Sequence, residues 1–369
     1  MIFIGKAVSL RKISKGMALS FVTELKTAYY TCDIPNVVVS TDQPSVVITI
    51  YVKNREVFRS TYYASYGQVT IRDIASIIEA HYIQNGYSMQ NVSIGANDGD
   101  EEDENGFVAI FCRFHCITKD AEEFLLNNFF TTATSRFTTL DCPQFLNGYF
   151  PRGRHQVAVT AVVQLPSGAV QTTSYTESLN ALTSKMAIII IKPSEIEDEL
   201  CTVLRMDVKL LQFSYTIESR RCNFFIQRVP SARCFYFWNV FNCKESIAFP
   251  AETITGLETD YSEAVVERQH AYYDVEHTYS YEMHTGDLLT AQTKWLEQFF
   301  TSPKIQLAQV INGTYPLVLI MEYEHQITDA PGKNNAVNFK WKFADKRLTL
   351  NDFGIDDGIF TEQYTEEYA

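Results

Sequence analysis

The segment NDGDEEDENG, Asn97–Gly106, gathers carboxylates at Asp98, Asp100 and Asp103. Such oxygens could serve Ca²⁺, which needs several of them converging on one point. The spacing departs from the EF-hand pattern, and no apolar residue anchors the loop. The simpler expectation is a solvated hairpin tip between NVSI and FVAIFCRFH, with cation binding by the three aspartates as the alternative. His270, His277 and His284 recur every seven residues, which would align three imidazoles on a helix. The surrounding alternation is that of a strand, which turns His277 away from His284, so they cannot share an ion. In CRFHC, Cys112, His115 and Cys116 lack the close Cys-x-x-Cys spacing of zinc knuckles, and core cysteines are expected instead. Arg152 and Arg154 flank a glycine in PRGRH, read as an exposed basic linker suited to an acidic partner surface. No glycine-rich nucleotide loop, nucleophile elbow or zinc-protease pattern occurs. The expectation is therefore no catalytic residue, no metal and no cofactor. Pairs of acids for glycoside hydrolysis carry no information among 44 acidic residues.

The elements that must position these groups are mostly strands. From Tyr273 to His284 an apolar register (Tyr273, Val275, Tyr279, Tyr281, Met283) alternates with a polar one (Asp274, Glu276, Thr278, Ser280, Glu282), which is a half-buried strand. Val337, Phe339, Trp341 and Phe343 alternate with Asn338, Lys340 and Lys342. PLVLIMEY, Pro316–Tyr323, reads as a strand buried on both faces. Four helices are expected: TIRDIASIIEAHYI from Thr70, with Thr70 and Asp73 approximating a capping box; TKDAEEFLLNNFF from Thr118; a short SEIEDEL from Ser194, opened by a Ser-x-x-Glu box; and GDLLTAQTKWLEQFF from Gly286. The fold class is mainly β, with tandem β-sandwich-like domains and a few short helices.

VVITIYVKNREVFRSTYY from Val46 and VAVTAVVQLPSGAVQTTSY from Val157 share a strand–turn–strand plan, the second turn two residues longer. Val46 matches Val157, Thr49 matches Thr160, Val52 matches Val163 and Tyr62 matches Tyr175, which suggests an internal duplication. The boundary is placed at LNGYFPRGRH, where Gly and Pro interrupt the pattern. The expected organisation is an N-terminal β-rich domain over 1–148, a second sandwich-like domain over 149–232, a C-terminal β-rich domain over 233–350 with its helix near 286–300, and an acidic tail over 351–369.

A net charge of −13 over 369 residues argues against non-specific nucleic-acid binding, which needs Lys and Arg to neutralise phosphates. The basic N-terminal stretch and the acidic C-terminal tail suit head-to-tail assembly, though two solvated ends explain them as well. The start lacks the layout of a secretory signal, and MAIIII, Met186–Ile191, is far below a membrane span. Cytosolic synthesis is expected, with the eight cysteines as small buried hydrophobes.

FYFWNVFNC, Phe235–Cys243, holds five aromatic side chains in nine residues. Phe235, Phe237 and Phe241 on one side and Tyr236, Trp238 and Val240 on the other give a strand with two apolar faces, expected to be central in a sandwich or sealed under a neighbour. From Cys234 to Leu307 the order is an aromatic strand turning at Asn242, an acidic hairpin, a Tyr-rich strand, a Thr-Gly-Asp turn and an amphipathic helix ending Phe-Thr-Ser-Pro. This layout resembles structural proteins from tail or baseplate modules of bacteriophages and prophages of gut bacteria. It departs from them where Cys243 and Lys244 follow Asn242 in place of a small turn residue. The resemblance implies a non-enzymatic, homo-oligomeric virion component acting through protein–protein interfaces with other particle proteins. The alternatives are a carbohydrate-binding or adhesion module using Trp238 or Trp295, and a glycan hydrolase.

Overall fold

The computed structural model describes residues 18–114, 119–150, 153–182, 186–229, 233–249, 253–266, 269–286, 288, 290–311, 313–323 and 335–345. The chain is mainly β and divides into two compact units, Met1–Asn128 with Val240–Cys243, and Phe129–Asn239 with Lys244–Ala369.

The first unit contains β1 (Ser20–Phe21), β2 (Ala28–Tyr30), β3 (Val37–Ser40), β4 (Ser45–Val52), β5 (Arg55–Tyr63), β6 (Gln68–Ile71), α1 (Ile74–Asn85), β7 (Met89–Asn97), β8 (Glu102–Ile110) and α2 (Ala121–Asn127). A five-stranded sheet in the order β2-β8-β7-β4-β5 and a three-stranded sheet in the order β1-β3-β6 supply one core. Val46, Ile48, Ile50, Ile94, Val37, Val39, Val69 and Ile71 meet there, with Ile74, Ile78 and Tyr82 of α1. Lys53 and Asn54 both take positive φ, the two-residue hairpin geometry that matches strand twist. The expected capping box on α1 does not form. Thr70 lies in β6, opposite Val38, and the cap residue Asp73 is left-handed with no side-chain cap bond. Strand pairing has claimed the residue that the helix signal needed.

The second unit opens with β9 (Ser135–Thr138), β10 (Gln144–Tyr149), β11 (Gly153–Gln164), β12 (Val170–Leu182), β13 (Met186–Ile191), α3 (Pro193–Leu204), β14 (Lys209–Ile217) and β15 (Arg220–Ile226). Its five-stranded sheet runs β12-β11-β14-β15-β9, and β10 pairs with β13. Element for element this is the connectivity of the first unit from β2 to β8. The first strand closes each sheet by parallel pairing with the last, β2 on β8 and β9 on β15. The second strand pairs antiparallel with the one before the helix, β3 with β6 and β10 with β13. Both helices span 12 residues and end alike, with Gly86 and Arg205 left-handed and their N–H groups bonded to carbonyls of the last turn. The duplication suggested by the two hairpins therefore extends to seven strands and a helix in each copy. The hairpin register refines the match: Tyr62 faces Val46, whereas Glu177 faces Val157 and Tyr175 faces Val159.

These copies also relocate the expected boundary. The segment around 148 lies on β10, whose Leu146 shares one core with β11, β13, β14 and β15, and β9 pairs with β15 in the same unit. The Pro/Gly cluster read as a domain linker connects two strands of the same sandwich. The Ser-x-x-Glu box at Ser194 is likewise not used. α3 starts one residue earlier at Pro193, with no side-chain cap, and the Glu197 carboxylate instead accepts from Leu210 N–H at 2.6 Å.

A third core follows in the same unit, from β16 (Arg233–Trp238), β17 (Lys244–Phe249), β18 (Thr253–Val266), β19 (Gln269–His284), α4 (Thr290–Phe300), β20 (Ile305–Leu307), β21 (Leu317–Tyr323) and β22 (Asn338–Phe343). The seven-stranded sheet runs β17-β16-β20-β21-β22-β19-β18. Trp295, Leu296, Phe299 and Phe300 of α4 are buried against Phe235, Phe237, Phe339 and Trp341. The expectation that Pro316–Tyr323 is buried on both faces fails: Leu317, Leu319, Met321 and Tyr323 are exposed, while Val318 between them is buried. An uninterrupted apolar run is ambiguous between a central strand and one with a bare apolar face.

Candidate functional site

The side-chain cluster with the most concentrated chemistry surrounds Glu245, near the start of β17. Its carboxylate is 1% exposed and lies 2.9 Å from the guanidinium of Arg136, which is wholly buried on β9. Trp295 on α4 donates its indole N–H to Glu245 Oε2 at 2.6 Å, and Asn239 Nδ2 donates to Oε1 at 2.9 Å. Asn239 also reaches the Phe130 carbonyl at 2.8 Å. Arg136 Nη2 donates to Thr131 Oγ1 at 2.6 Å and Nε to the Ala133 carbonyl at 3.0 Å. Its Cζ lies 5.2 Å from the centroid of the Trp295 ring. Both carboxylate oxygens are therefore engaged, and the charge is neutralised in place. Such a group holds elements in register, with three of the carboxylate's roughly four lone-pair sites accepting bonds. Beside it, burial pushes the Cys222 thiol up to about 11, which keeps it protonated and unreactive.

A void of ≈ 20 Å³, lined by Phe137, Ile247, Phe249, Leu288, Trp295 and Leu296, adjoins the cluster. It has room for about one water molecule and none for a metabolite-sized ligand.

The aromatic stretch is divided by the fold. Phe235 and Phe237 are fully buried and point into the third core, with Phe235 5.6 Å and Phe237 5.8 Å from the Phe299 ring centroid. Tyr236 faces the other way, packing edge-on against Phe145 and Tyr315. The Lys244 ammonium sits 3.8 Å from the Tyr236 ring centroid, and burial, followed by nearby Lys304, lowers the Lys244 pKa. Trp238 is half-buried beneath Lys304, whose nitrogen is 4.6 Å from its ring. The strand ends at Trp238. Phe241 thus does not continue it: Val240–Cys243 belongs to the first unit, where Phe241 stacks on Phe124 at 5.0 Å. Asn242, left-handed at φ 56°, makes the expected turn, and its amide donates to the Tyr87 carbonyl at 3.1 Å.

The acidic segment forms the β7–β8 hairpin tip. Asp98 accepts from Thr41 Oγ1 at 2.8 Å and from the backbone N–H groups of Asp100 and Glu101. Asp100 accepts from Gln43 Nε2 at 2.9 Å, and Asp103 lies on β8 opposite Ala96. These bonds serve the turn, and among the described residues no group of three or more His, Cys, Asp or Glu side chains could hold a metal ion. His270 and His284 lie at opposite ends of β19. Their partners differ: His270 is 3.4 Å from Glu263, while His284 Nδ1 accepts from the Gly286 N–H. Cys112 is buried and bonds the Phe114 carbonyl; His115 and Cys116 lie outside the described residues. Arg152 does too, while Arg154 is an exposed residue of β11, so its surroundings are a sheet and not a linker. No helix among the described residues is long and apolar enough to cross a membrane.

Sequence reasoning did not find the Arg136–Glu245 cluster, whose members come from five separate segments. One signal was present: Arg136 is the sole charged residue between Phe124 and Leu140, and a lone charge in such a stretch needs a buried partner.

No protein-family model matches this chain, and no curated protein sequence matches it.

Proposed function

We propose that the protein is a non-enzymatic structural component of a bacteriophage or prophage-derived tail or baseplate, working through protein–protein interfaces with other particle proteins and with copies of itself. The observation that carries this reading is the use of the chain's most concentrated chemistry for scaffolding. Glu245 accepts from Arg136, Asn239 and Trp295 in the interior, and two copies of one β sandwich follow one another along the sequence before a third core. The layout from Cys234 to Leu307 that carries the resemblance supports it further: aromatic strand, long hairpin, then helix. Particle parts assemble with closed symmetry, so rings or trimers are expected.

A sugar-stacking role for the tryptophans receives no support. Trp295 is buried with its N–H committed, Trp341 is buried, and Trp238 is half-covered by Lys304.

Light scattering after gel filtration, combined with electron microscopy of the purified protein and of particles, tests the proposal. A closed oligomer and incorporation into a particle are expected. A strict monomer absent from any particle would overturn it.

A further inference from the structure

Strand β2 is the shortest of its five-stranded sheet and lies at its edge, paired to β8 through three residues that end with Tyr30 opposite Ile110. Counting on two residues from each reaches Cys32 and Cys112. The two chains stay together over that step. Thr31, wholly buried, accepts from the Cys112 N–H at 3.1 Å, and its hydroxyl donates to the Cys112 carbonyl at 3.3 Å. Both thiols then donate to one acceptor. The Phe114 carbonyl takes the Cys112 Sγ at 2.8 Å and the Cys32 Sγ at 3.4 Å. Two sulfurs sharing one oxygen at those distances are no more than about 6 Å apart. Neighbouring strands stand about 4.8 Å apart, inside the Cα separations that a disulfide spans, so side-chain rotation closes the gap.

We propose that Cys32 and Cys112 are a modification site for small-molecule disulfides, which convert the pair into an intramolecular disulfide fastening β2 to β8. Cys32 reacts first, because it is half-buried whereas Cys112 is 3% exposed. Its thiolate attacks one sulfur of the small disulfide. A bond to the Cys32 sulfur forms, the reagent's S–S bond breaks, and the displaced sulfur takes up a proton and leaves as a thiol. Cys112 then loses its proton and attacks the Cys32 sulfur, expelling the second half of the reagent as another thiol. Two protein thiols are oxidised by two electrons, and one small disulfide is reduced to two thiols. The closed loop runs from the end of β2 to the end of β8 and takes in β3 to β7, so the bond restricts the unfolded chain.

The duplication supplies a control. β9 and β15 close the second copy in the same parallel manner, ending with Thr138 opposite Ile226. The same count there reaches Leu140 and Arg228, where no thiol stands. Cys201 and Cys222 bond separate carbonyls, those of Val208 and Ala133.

The test incubates the intact, fully reduced chain with oxidised glutathione, then alkylates it and maps tryptic peptides by mass spectrometry. Arg113 separates Cys112 from Cys116, so the peptides tell those two apart. The expected result is joint loss of alkylation at Cys32 and Cys112, and a cross-linked peptide pair lighter by two hydrogens. Dithiothreitol should reverse it, and the oxidised protein should show a raised thermal midpoint. In Cys112→Ser, Cys32 lacks its resolving thiol and should retain glutathione as a mixed disulfide. In Cys32→Ser, buried Cys112 should take up none and stay alkylatable once unfolded. The proposal is overturned if both thiols survive excess oxidised glutathione, or if the cross-link joins Cys32 to Cys116. It is overturned equally if Cys32 in the unaltered sequence keeps glutathione as stably as it does in Cys112→Ser.

Discussion

The Glu245 carboxylate and the Arg136 guanidinium meet at 2.9 Å with both side chains essentially removed from water. Their attraction is offset by the desolvation of both charges, so the pair adds little net stability while each member depends heavily on the other. Replacing Arg136 alone by Met leaves a buried carboxylate held only by Trp295 and Asn239. Arg136→Met or Glu245→Gln should each cost about 3–5 kcal/mol. The double variant Arg136→Met/Glu245→Met should cost markedly less than the sum. Urea unfolding followed by tryptophan fluorescence checks this. Additive losses would mean that the two side chains act independently.

The repeat supplies its own control for a helix end. Gly86 at φ 67° and Arg205 at φ 54° occupy the same left-handed position after α1 and α3. A side chain there is strained, and glycine is not. Arg205→Gly should therefore stabilise the second unit, and Gly86→Arg should destabilise the first, each by about 1 kcal/mol. Hydrogen exchange resolved by peptide reads the two units separately. No gain for Arg205→Gly would show that contacts of the arginine outweigh backbone strain.

Local periodicity carried much of the fold into view. The strand ending at His284, the hairpin from Val46 and all four helices were legible because alternation and helical spacing are written in adjacent residues. What closes each sandwich was not. β2 on β8 and β9 on β15 are parallel pairings between distant segments, and no local pattern marks them. The domain boundary was misplaced for that reason: Gly148–Pro151 looks like punctuation, and only the β10–β13 and β9–β15 pairings show which core owns it. The aromatic stretch showed two apolar faces, and the fold buries Phe235 and Phe237 of one of them in the third core. Its end at Trp238 was hidden, because turn residues as apolar as Val240 and Phe241 imitate a strand. Glu245 and Arg136 were invisible as a pair, since a partner 109 residues away has no sequence signature.

Acid sensitivity should be traceable to one cap. Asp120 opens α2 by accepting from the Glu122 N–H at 3.0 Å, and Lys26 bonds its carboxylate at 2.8 Å. The Lys26 contact first, then the N–H, holds the Asp120 pKa below its usual range. The stability that this gives is present above the unfolded carboxylate value of about 4. It is lost as pH falls through the lower, folded value. Asp120→Asn keeps an N-cap acceptor and removes the titration. The stability difference between the two proteins should therefore be small, given solvent exposure, constant near neutrality, and gone in strong acid. Denaturation curves across that range check it; a difference that persists at the acid end would refute the assignment.

Gly148 on β10 has no room for a side chain. A Cβ there would come within 2.8 Å of the Phe150 ring and 3.5 Å of the Phe129 ring. Phe150 cannot swing away freely. It is fully buried, the Arg220 guanidinium covers it at 4.7 Å, and Arg220 is itself tied to Glu218 and to the Tyr149 carbonyl. Gly148→Ala should thus act as overpacking and cost about 1–3 kcal/mol, although alanine has the better backbone propensity. Shortening the obstructing ring should return part of that loss, so Gly148→Ala/Phe150→Leu should be more stable than the two single costs imply. Thermal or urea unfolding of the four proteins in the cycle measures the coupling. Strict additivity would place the clash elsewhere, with Phe129 as the next ring to shorten.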